Sequence, residues 1–473
     1  MLGIFKFLFP KDKNLFKKVF ILATPVIISN ISRVSMGIID MAMIGHLGGS
    51  AIAAVGMSGM VTWTVISLGI AFRTGTQTFV SRRLGQKKYD QCSLAMRNIH
   101  VFALLIGLPI TLICYFYTIP IMSFFLDPST DAFNLSIDYA KYGFLGTYFV
   151  YVMFIFQGFY TGIEETKIHM KTTLSANILN IYLNVGLIFG TDAVLHFFNG
   201  SIFEIFGNLW SIYYFPELGV KGAAIGTFIA IIWQCIHYSL YLFKEEIIRY
   251  KVFDPTIDLE MLKKQLIVAY PIAFQETLVM LSITIFYKII GIIGITQLAA
   301  TQVIFKIMHT SFMPAIGVGQ ACATLVGKYL GEENPQKAES SIKESLRGSF
   351  LIMGSVGIIF ICFSEYIVPL FTNDQLVITY AIPGLKFVGI LQFVDAICFT
   401  LWFAMTGAGD TKIPAIVDVA SHWILFVPAC YISGIYLGYG FWGPWISFGL
   451  HLTFFSIFLF VRFKKGKWKT IKV

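Results

Sequence analysis

Apolar runs of 20 or more residues follow one another along this chain, each broken by a short polar stretch. Twelve can be counted, near residues 16–44, 52–80, 92–124, 134–160, 169–190, 222–243, 262–292, 297–327, 344–370, 377–405, 414–436 and 441–462. Each is long enough to cross about 30 Å of hydrocarbon. A lone strand in lipid leaves its backbone N–H and C=O groups unsatisfied, so every run is predicted to be an α-helix. The short alternating segments of a transmembrane barrel are absent.

Composition agrees with a lipid solvent. The chain is 56% hydrophobic and 13% charged, with a mean hydropathy of +0.74. Soluble proteins carry about 25% charged residues, and so few charges do not cover the surface of a large soluble helical enzyme. The net charge of +9 raises nucleic acid as a partner. The Lys and Arg residues sit in short loops between apolar runs, however, so no nucleic acid is expected. Cys92, Cys114, Cys235, Cys322, Cys362, Cys398 and Cys430 form no CxxC pair and read as small buried apolar residues. Lys6, Lys11, Lys13, Lys17 and Lys18 precede the first run, and no small-residue cleavage site follows. That run reads as a retained helix, not a signal peptide.

The basic loops set an expected topology. Besides the N-terminus they carry Arg82, Arg83, Lys87 and Lys88; Lys167 and Lys171; Lys244, Arg249, Lys251, Lys263 and Lys264; Lys328, Lys337, Lys343 and Arg347; Lys412; and the tail from Arg462 to Lys472. These are every second connection. The intervening ones, including the long 191–220 loop, are poor in Lys and Arg. Both termini are therefore predicted to be cytoplasmic.

The two halves of the chain repeat. Ala23-Thr24-Pro25 and Ala269-Tyr270-Pro271 lie 246 positions apart, and the same offset maps Gly45-x-x-Gly48 onto Gly291-x-x-Gly294. It also maps Thr78-Phe-Val80 and Leu84-Gly85 onto Thr324-Leu-Val326 and Leu330-Gly331. Gly162-Ile-Glu-Glu165-Thr166-Lys167 has its counterpart in Gly407-Ala-Gly-Asp410-Thr411-Lys412. Gly222-x-x-x-Gly226 and Gly443-x-x-x-Ser447 open the sixth and twelfth runs with spacing suited to close helix packing. The expected fold is an all-α polytopic membrane protein with 12 transmembrane helices in two pseudo-symmetric six-helix bundles. Its lobes are 1–245 and 246–473, joined by a linker at about 244–261. Six helices per repeat give the halves the same orientation about an axis along the membrane normal.

Asp40-Met-Ala-Met-Ile-Gly45-His-Leu-Gly followed by Ala53-Ala-Val-Gly56 resembles the first-helix signature of the multidrug and toxic compound extrusion (MATE) family. Gln275-Glu276-Thr277 after Pro271, and Gly407-Ala-Gly-Asp410-Thr-Lys, are similar to its second-half signatures. The resemblance covers nearly the whole chain. It implies a secondary active efflux transporter, exporting organic, cationic drugs or toxic compounds by H⁺- or Na⁺-coupled antiport and alternating access. It also implies a monomer, without catalytic residues or cofactor, in a bacterial inner membrane. Carried over residue by residue, it places cation coupling in the N-terminal lobe at Asp40, Asn180, Asn184 and Thr227. In the C-terminal lobe Glu276 and its partner Asp395 serve coupling or substrate. Some relatives carry Asp where this chain has Asn184, which lowers the negative charge of the pocket.

Physical chemistry gives these residues weight. A carboxylate at a bilayer centre costs about 2.5–3.5 kcal/mol on insertion scales, so it is either neutralised by a partner or used. Asn180 and Asn184 are four apart and share a helix face, with Asn177 on that side. Their amide oxygens, the Thr227 hydroxyl and a deprotonated Asp40 are hard ligands suited to Na⁺; alternatively, Asp40 takes up and releases a proton. A structural ion pair with Arg33, seven residues earlier on a similar face, is the competing role for Asp40. Lys288 and Lys306 read as paired or snorkelling. His309 and His422 fall in helices without HExxH or another metal spacing, so no metal beyond Na⁺ is expected. Aromatic faces attract organic cations; Tyr148, Tyr151, Phe156, Phe393 and Phe399 are candidates, and the substrate cavity is assigned to Gln157, Tyr160, Gln275 and Trp402.

The main rival is a lipid-linked oligosaccharide or peptidoglycan-precursor flippase of the same superfamily, which Arg33, Arg73, Lys288 and Lys306 keep open. A polytopic enzyme would need an Asp- or His-rich cluster on its cytoplasmic face, and none is seen. An ATP-driven pump would need a phosphate loop, which Gly327-Lys328 does not complete.

Overall fold

The computed structural model describes residues 9–200 and 204–473, and every regular element among them is helical. Lys6 of the basic N-terminus, and 201–203 of the 191–220 loop, lie outside the described residues. All twelve predicted runs form helices. They are α1 Lys13–Gly45, α2 Gly49–Gly85, α3 Tyr89–Phe116, α4 Asp131–Gly162, α5 Thr166–Phe189, α6 Gly219–Tyr241, α7 Leu259–Ile293, α8 Ile295–Gly331, α9 Pro335–Leu370, α10 Gln375–Gly407, α11 Lys412–Tyr436 and α12 Trp442–Lys465. Eleven are long and apolar enough to cross a membrane. The other, α8, has 37 residues and so extends about 55 Å; Lys306, His309 and Gln320 dilute its apolar character.

The helices outrun the apolar runs at most ends, and at five of the N-termini a polar side chain caps the extension. Asp12, Thr130, Asp258, Asn334 and Asp374 each accept a hydrogen bond from a first-turn N–H of the helix that follows. Interruptions also differ from a simple apolar count. α2 breaks at Ser67, between Gly49–Ile66 and Leu68–Gly85. The predicted 92–124 run ends its main helix at Phe116, and Thr118–Ser123 follows as a separate short helix. α11 holds two π-helical turns, Ser421–Phe426 and Ile432–Tyr436. In α1, Pro25 has no N–H to give the Ile21 carbonyl, while Ser29 Oγ donates to the Pro25 carbonyl at 2.8 Å.

Contacts between the first six and last six helices gather at the end that carries both termini. There α2 crosses α8 through glycine. A Cβ on Gly85 would lie 1.9 Å from the Lys328 carbonyl oxygen, and one on Gly331 would lie 2.2 Å from that of Arg82. Gln77 Nε2 donates to the Gln320 carbonyl and the Thr324 hydroxyl, both at 2.9 Å, and Thr78 Oγ1 donates to the Thr406 carbonyl at 2.9 Å. Glu164, in the turn between α4 and α5, receives Lys18 and Lys328, each at 2.8 Å. Arg82 donates to the Ala408 and Ile471 carbonyls. Toward the opposite end, Gly37, Gly45, Gly48, Gly49, Gly56 and Gly59 have nothing within 4 Å of an added Cβ.

The charged segment between α6 and α7 is fastened to α3. Ser93 Oγ donates to the Tyr250 carbonyl at 2.5 Å, and Asn98 exchanges two hydrogen bonds with the Asp258 backbone at 3.0 and 3.1 Å.

Candidate functional site

Asp40 lies in the half of α1 away from the termini. Asn184 Nδ2 donates to Asp40 Oδ1 at 2.8 Å. Asn180 Nδ2 in turn reaches Asn184 Oδ1 and Thr227 Oγ1, each at 3.3 Å. The structure therefore joins α1, α5 and α6 through the four residues picked out for the N-terminal half. Asn180 and Asn184 are buried, and Asp40 and Thr227 are half-buried. Glycine makes the arrangement possible: a Cβ on Gly226 would sit 2.0 Å from Asn184 Oδ1, and one on Gly222 2.1 Å from the Leu187 carbonyl. Asn177 Nδ2 adds a 2.6 Å bond to Ser32 Oγ of α1.

Arg33 does not pair with Asp40. Seven residues along a helix separate them by about 10 Å, and Asp40 turns to α5 while Arg33 lies within electrostatic reach of Tyr238 on α6. One Arg33 guanidinium nitrogen and Arg73 Nε have no hydrogen-bond partner. The Arg73 guanidinium stands over the Phe154 ring, 5.8 Å from its centroid. Glu276 on α7 lies within electrostatic reach of Arg73 across the halves. Lys288 and Lys306 are exposed and form no ion pair with an acid among the described residues.

Asp395 is 3% exposed, and its Oδ2 has no hydrogen-bond partner. It forms no hydrogen bond or ion pair with Glu276, its expected partner. The charged groups around Glu276 are Arg73 and Asp418 instead. Asp418, on α11, is a residue that sequence reasoning missed. Its Oδ2 accepts from Gln275 Nε2 at 2.6 Å, and His422 and His451 flank its Oδ1. The only signal in the sequence was the four-residue spacing of Asp418 and His422. His451 arrives from another helix and carries no local pattern.

The residues assigned to the substrate cavity part company. Tyr160 is fully buried; its ring stacks on Tyr238, its hydroxyl donates to the Tyr238 carbonyl at 2.9 Å, and it has no open face. Gln157 is also buried, with Nε2 3.2 Å from His169 Nε2. Both belong to the interior of the first half, because Tyr238 and His169 fill the space beside them. Trp402, partly buried, packs with Ala71, Ala269 and Ile272 where α2, α7 and α10 meet. A separate groove of about 960 Å³ runs between α7 and α11, lined by Ile267, Tyr270, Phe274 and Ile416 with Lys263 and Lys412 at its edge. None of the acidic residues above lines it.

A family model described as MatE matches residues 25–185 and 271–432. A probable multidrug resistance protein NorM from Thermotoga maritima is 27% identical over 469 residues, covering 99% of this chain and 96% of that protein. An uncharacterized transporter, YisQ, from Bacillus subtilis is 26% identical, covering 97% and 96%. Among solved structures, the outward-facing conformation of a multidrug resistance MATE family transporter superposes with a TM-score of 0.83 at 19% identity, covering 97% of each chain. A MOP superfamily transporter from Pyrococcus furiosus, described as having a binding pocket of reversed polarity, gives 0.82 at 20% identity over 97% of each chain.

Proposed function

The chain belongs to the MatE family of multi-pass membrane transporters, and we propose that it exports organic cations in exchange for H⁺ or Na⁺ entering through its N-terminal half. The observation that carries this reading is the hydrogen-bond chain from Asn180 through Asn184 to Asp40, reaching Thr227 at its side. Both amides aim N–H groups along the chain toward the carboxylate. A proton on Asp40 weakens it as an acceptor and loosens its hold on α5. A Na⁺ ion needs both amides turned over, so that oxygen faces the ion. Either cation alters the bond that ties α1 to α5, and it biases the open and closed states only through its differential affinity for them.

We read residues 1–245 and 246–473 as two lobes that rock about the glycine crossing of α2 and α8. With the basic loops cytoplasmic, contacts at the terminal end leave the cleft open to the outside. Glu276, half-buried and within electrostatic reach of Arg73 across the halves, is the acid we assign to meet a substrate cation; Trp402 stands beside the same junction, while Gln275 turns its amide to Asp418. Asp395 holds the interior of that lobe polar. A precursor flippase would need several cations converging on a pyrophosphate. Arg33 and Arg73 approach each other, but Lys288 and Lys306 do not join them, and the multidrug relatives favour export.

Proteoliposomes loaded with a fluorescent organic cation and given an imposed pH or Na⁺ gradient test the reading. Asp40→Asn should lose gradient-driven export while the cation still binds, and Glu276→Gln should weaken binding itself. Full coupled export by Asp40→Asn would overturn it.

A further inference from the structure

We propose that Asp418, His422 and His451 form a buried site for a divalent transition-metal ion of the zinc class, with the Gln275 amide at its edge. Asp418 and His422 are one turn apart on α11 and leave the same face of the helix; α12 brings His451 opposite them. Asp418 Oδ1 lies 3.3 Å from His422 Nδ1 and 3.9 Å from His451 Nε2, and one ligand atom from each residue falls within 4.8 Å of the others. Tetrahedral zinc with ligands at about 2.0–2.2 Å sets neighbouring ligand atoms about 3.3–3.6 Å apart. Small side-chain rotations therefore suffice to close the site. The three residues are 7%, 6% and 4% exposed.

Two further observations point to a ligand. Polar atoms this deep are normally hydrogen-bonded, yet Gln275 Oε1, on the amide that contacts Asp418, has no partner; His451 turns Nε2 toward Asp418. A half-turn of the Gln275 amide, whose Nε2 now lies 2.6 Å from Asp418 Oδ2, presents Oε1 as a fourth, neutral oxygen ligand. His422 also stands in the π-helical turn Ser421–Phe426, and such turns are frequent at functional sites. Its Nδ1 lies 3.0 Å from the Asp418 carbonyl oxygen, a hydrogen bond that an ion bound through Nδ1 would displace. Two imidazoles, a carboxylate and an amide oxygen make a donor set that suits zinc better than the oxygen-only sets preferred by Mg²⁺ or Ca²⁺. A bound dication would tie α11 to α12 and α7. A proton shared among the same atoms is the competing occupant.

Full-length protein in detergent, stripped by a chelator, is titrated with ZnCl₂ alone in competition with a chromophoric chelator. One zinc per chain is expected, and His451→Gln should weaken it by at least about tenfold, the lower end of what loss of a mere supporting group costs. X-ray absorption on the wild-type protein should read two imidazoles with nitrogen and oxygen at about 2.0–2.1 Å and no sulfur. This second readout stands even if the variant fails to fold. No stoichiometric zinc, undiminished binding by a folded His451→Gln protein, or a sulfur ligand would overturn the proposal; zinc-free protein leaves the proton as occupant. The titration is independent of export, so its failure leaves the reading of Asp40 untouched.

Discussion

A single hydrogen atom in place of a methyl group decides whether Asp40 meets its partner. Gly226 lies where a Cβ would come within 2.0 Å of Asn184 Oδ1 and 3.3 Å of the Asn184 backbone nitrogen. Gly226→Ala should therefore push Asn184 off Asp40, destabilise the protein by about 1–3 kcal/mol through overpacking, and reduce gradient-driven export. Gly59→Ala is the matched control. Nothing lies within 4 Å of its Cβ, and alanine is the better helix former by about 0.5–1 kcal/mol. Thermal unfolding midpoints of the two variants check this; equal midpoints would contradict it. At this scale the sequence was partly legible. Asn180 and Asn184 could be paired by their spacing, because a helix face is a local property. Tyr160 could not be told from a cavity residue, because only the arrival of Tyr238 from α6 buries it. Asp418 stayed invisible for the same reason, since Gln275 and His451 reach it from α7 and α12.

At the scale of elements, apolar runs located the twelve long helices, but not the short helix Thr191–Phe198 in the 191–220 loop, nor where α2 breaks or α11 widens, because none of these leaves a mark in hydropathy. The turns between helices carry a device of their own. Glu164 joins Lys18 of α1 to Lys328 of α8, bridging the two halves at the terminal end. Burial pushes its carboxyl up, but the two hydrogen-bonded ammonium groups outweigh this and hold it below the usual glutamate range. Once the halves part, the partners separate and the group returns toward about 4.3. The bridge therefore stabilises the closed end fully above that value and is lost as pH falls through the depressed one. Glu164→Gln should remove it at neutral pH. Charge-assisted hydrogen bonds contribute about 1.5–3 kcal/mol each when buried, and with partial exposure about 1–2 kcal/mol in all is the reasonable figure. Cysteines at the exposed positions 86 and 332, which leave Lys18 and Lys328 in place, should cross-link more slowly in the Glu164→Gln background than in an otherwise wild-type chain. An unchanged rate would show that the bridge does not hold the halves together.

For the whole molecule, the 246-residue offset is a statement about symmetry, and the crossing of α2 with α8 is where it becomes a contact. Arg82 and Lys328 are equivalent positions, as are Gly85 and Gly331. Gly85 packs on the Lys328 carbonyl, and Gly331 packs on that of Arg82. These are one contact seen from its two sides, so the pseudo-twofold axis passes through this crossing. Lys87 and Glu333, also equivalent, both adopt left-handed backbone, with φ of 60° and 55°, a conformation uncommon for residues other than glycine. The turns after α2 and α8 are thus built alike. A contact that lies on the axis closes both halves at once and has no second copy to compensate for its loss. Gly85→Val and Gly331→Val should therefore open the terminal end to the same degree, and the double variant should add little, since the first substitution already separates both backbones. Nitroxide labels at the exposed, equivalent positions 86 and 332 read this directly. The parent chain should give a short, narrow distance distribution, and either variant a longer and broader one. If only one variant opens the end, or if their effects add, the crossing is not the pivot, and the symmetry read from the sequence would be a scaffold without a mechanical role.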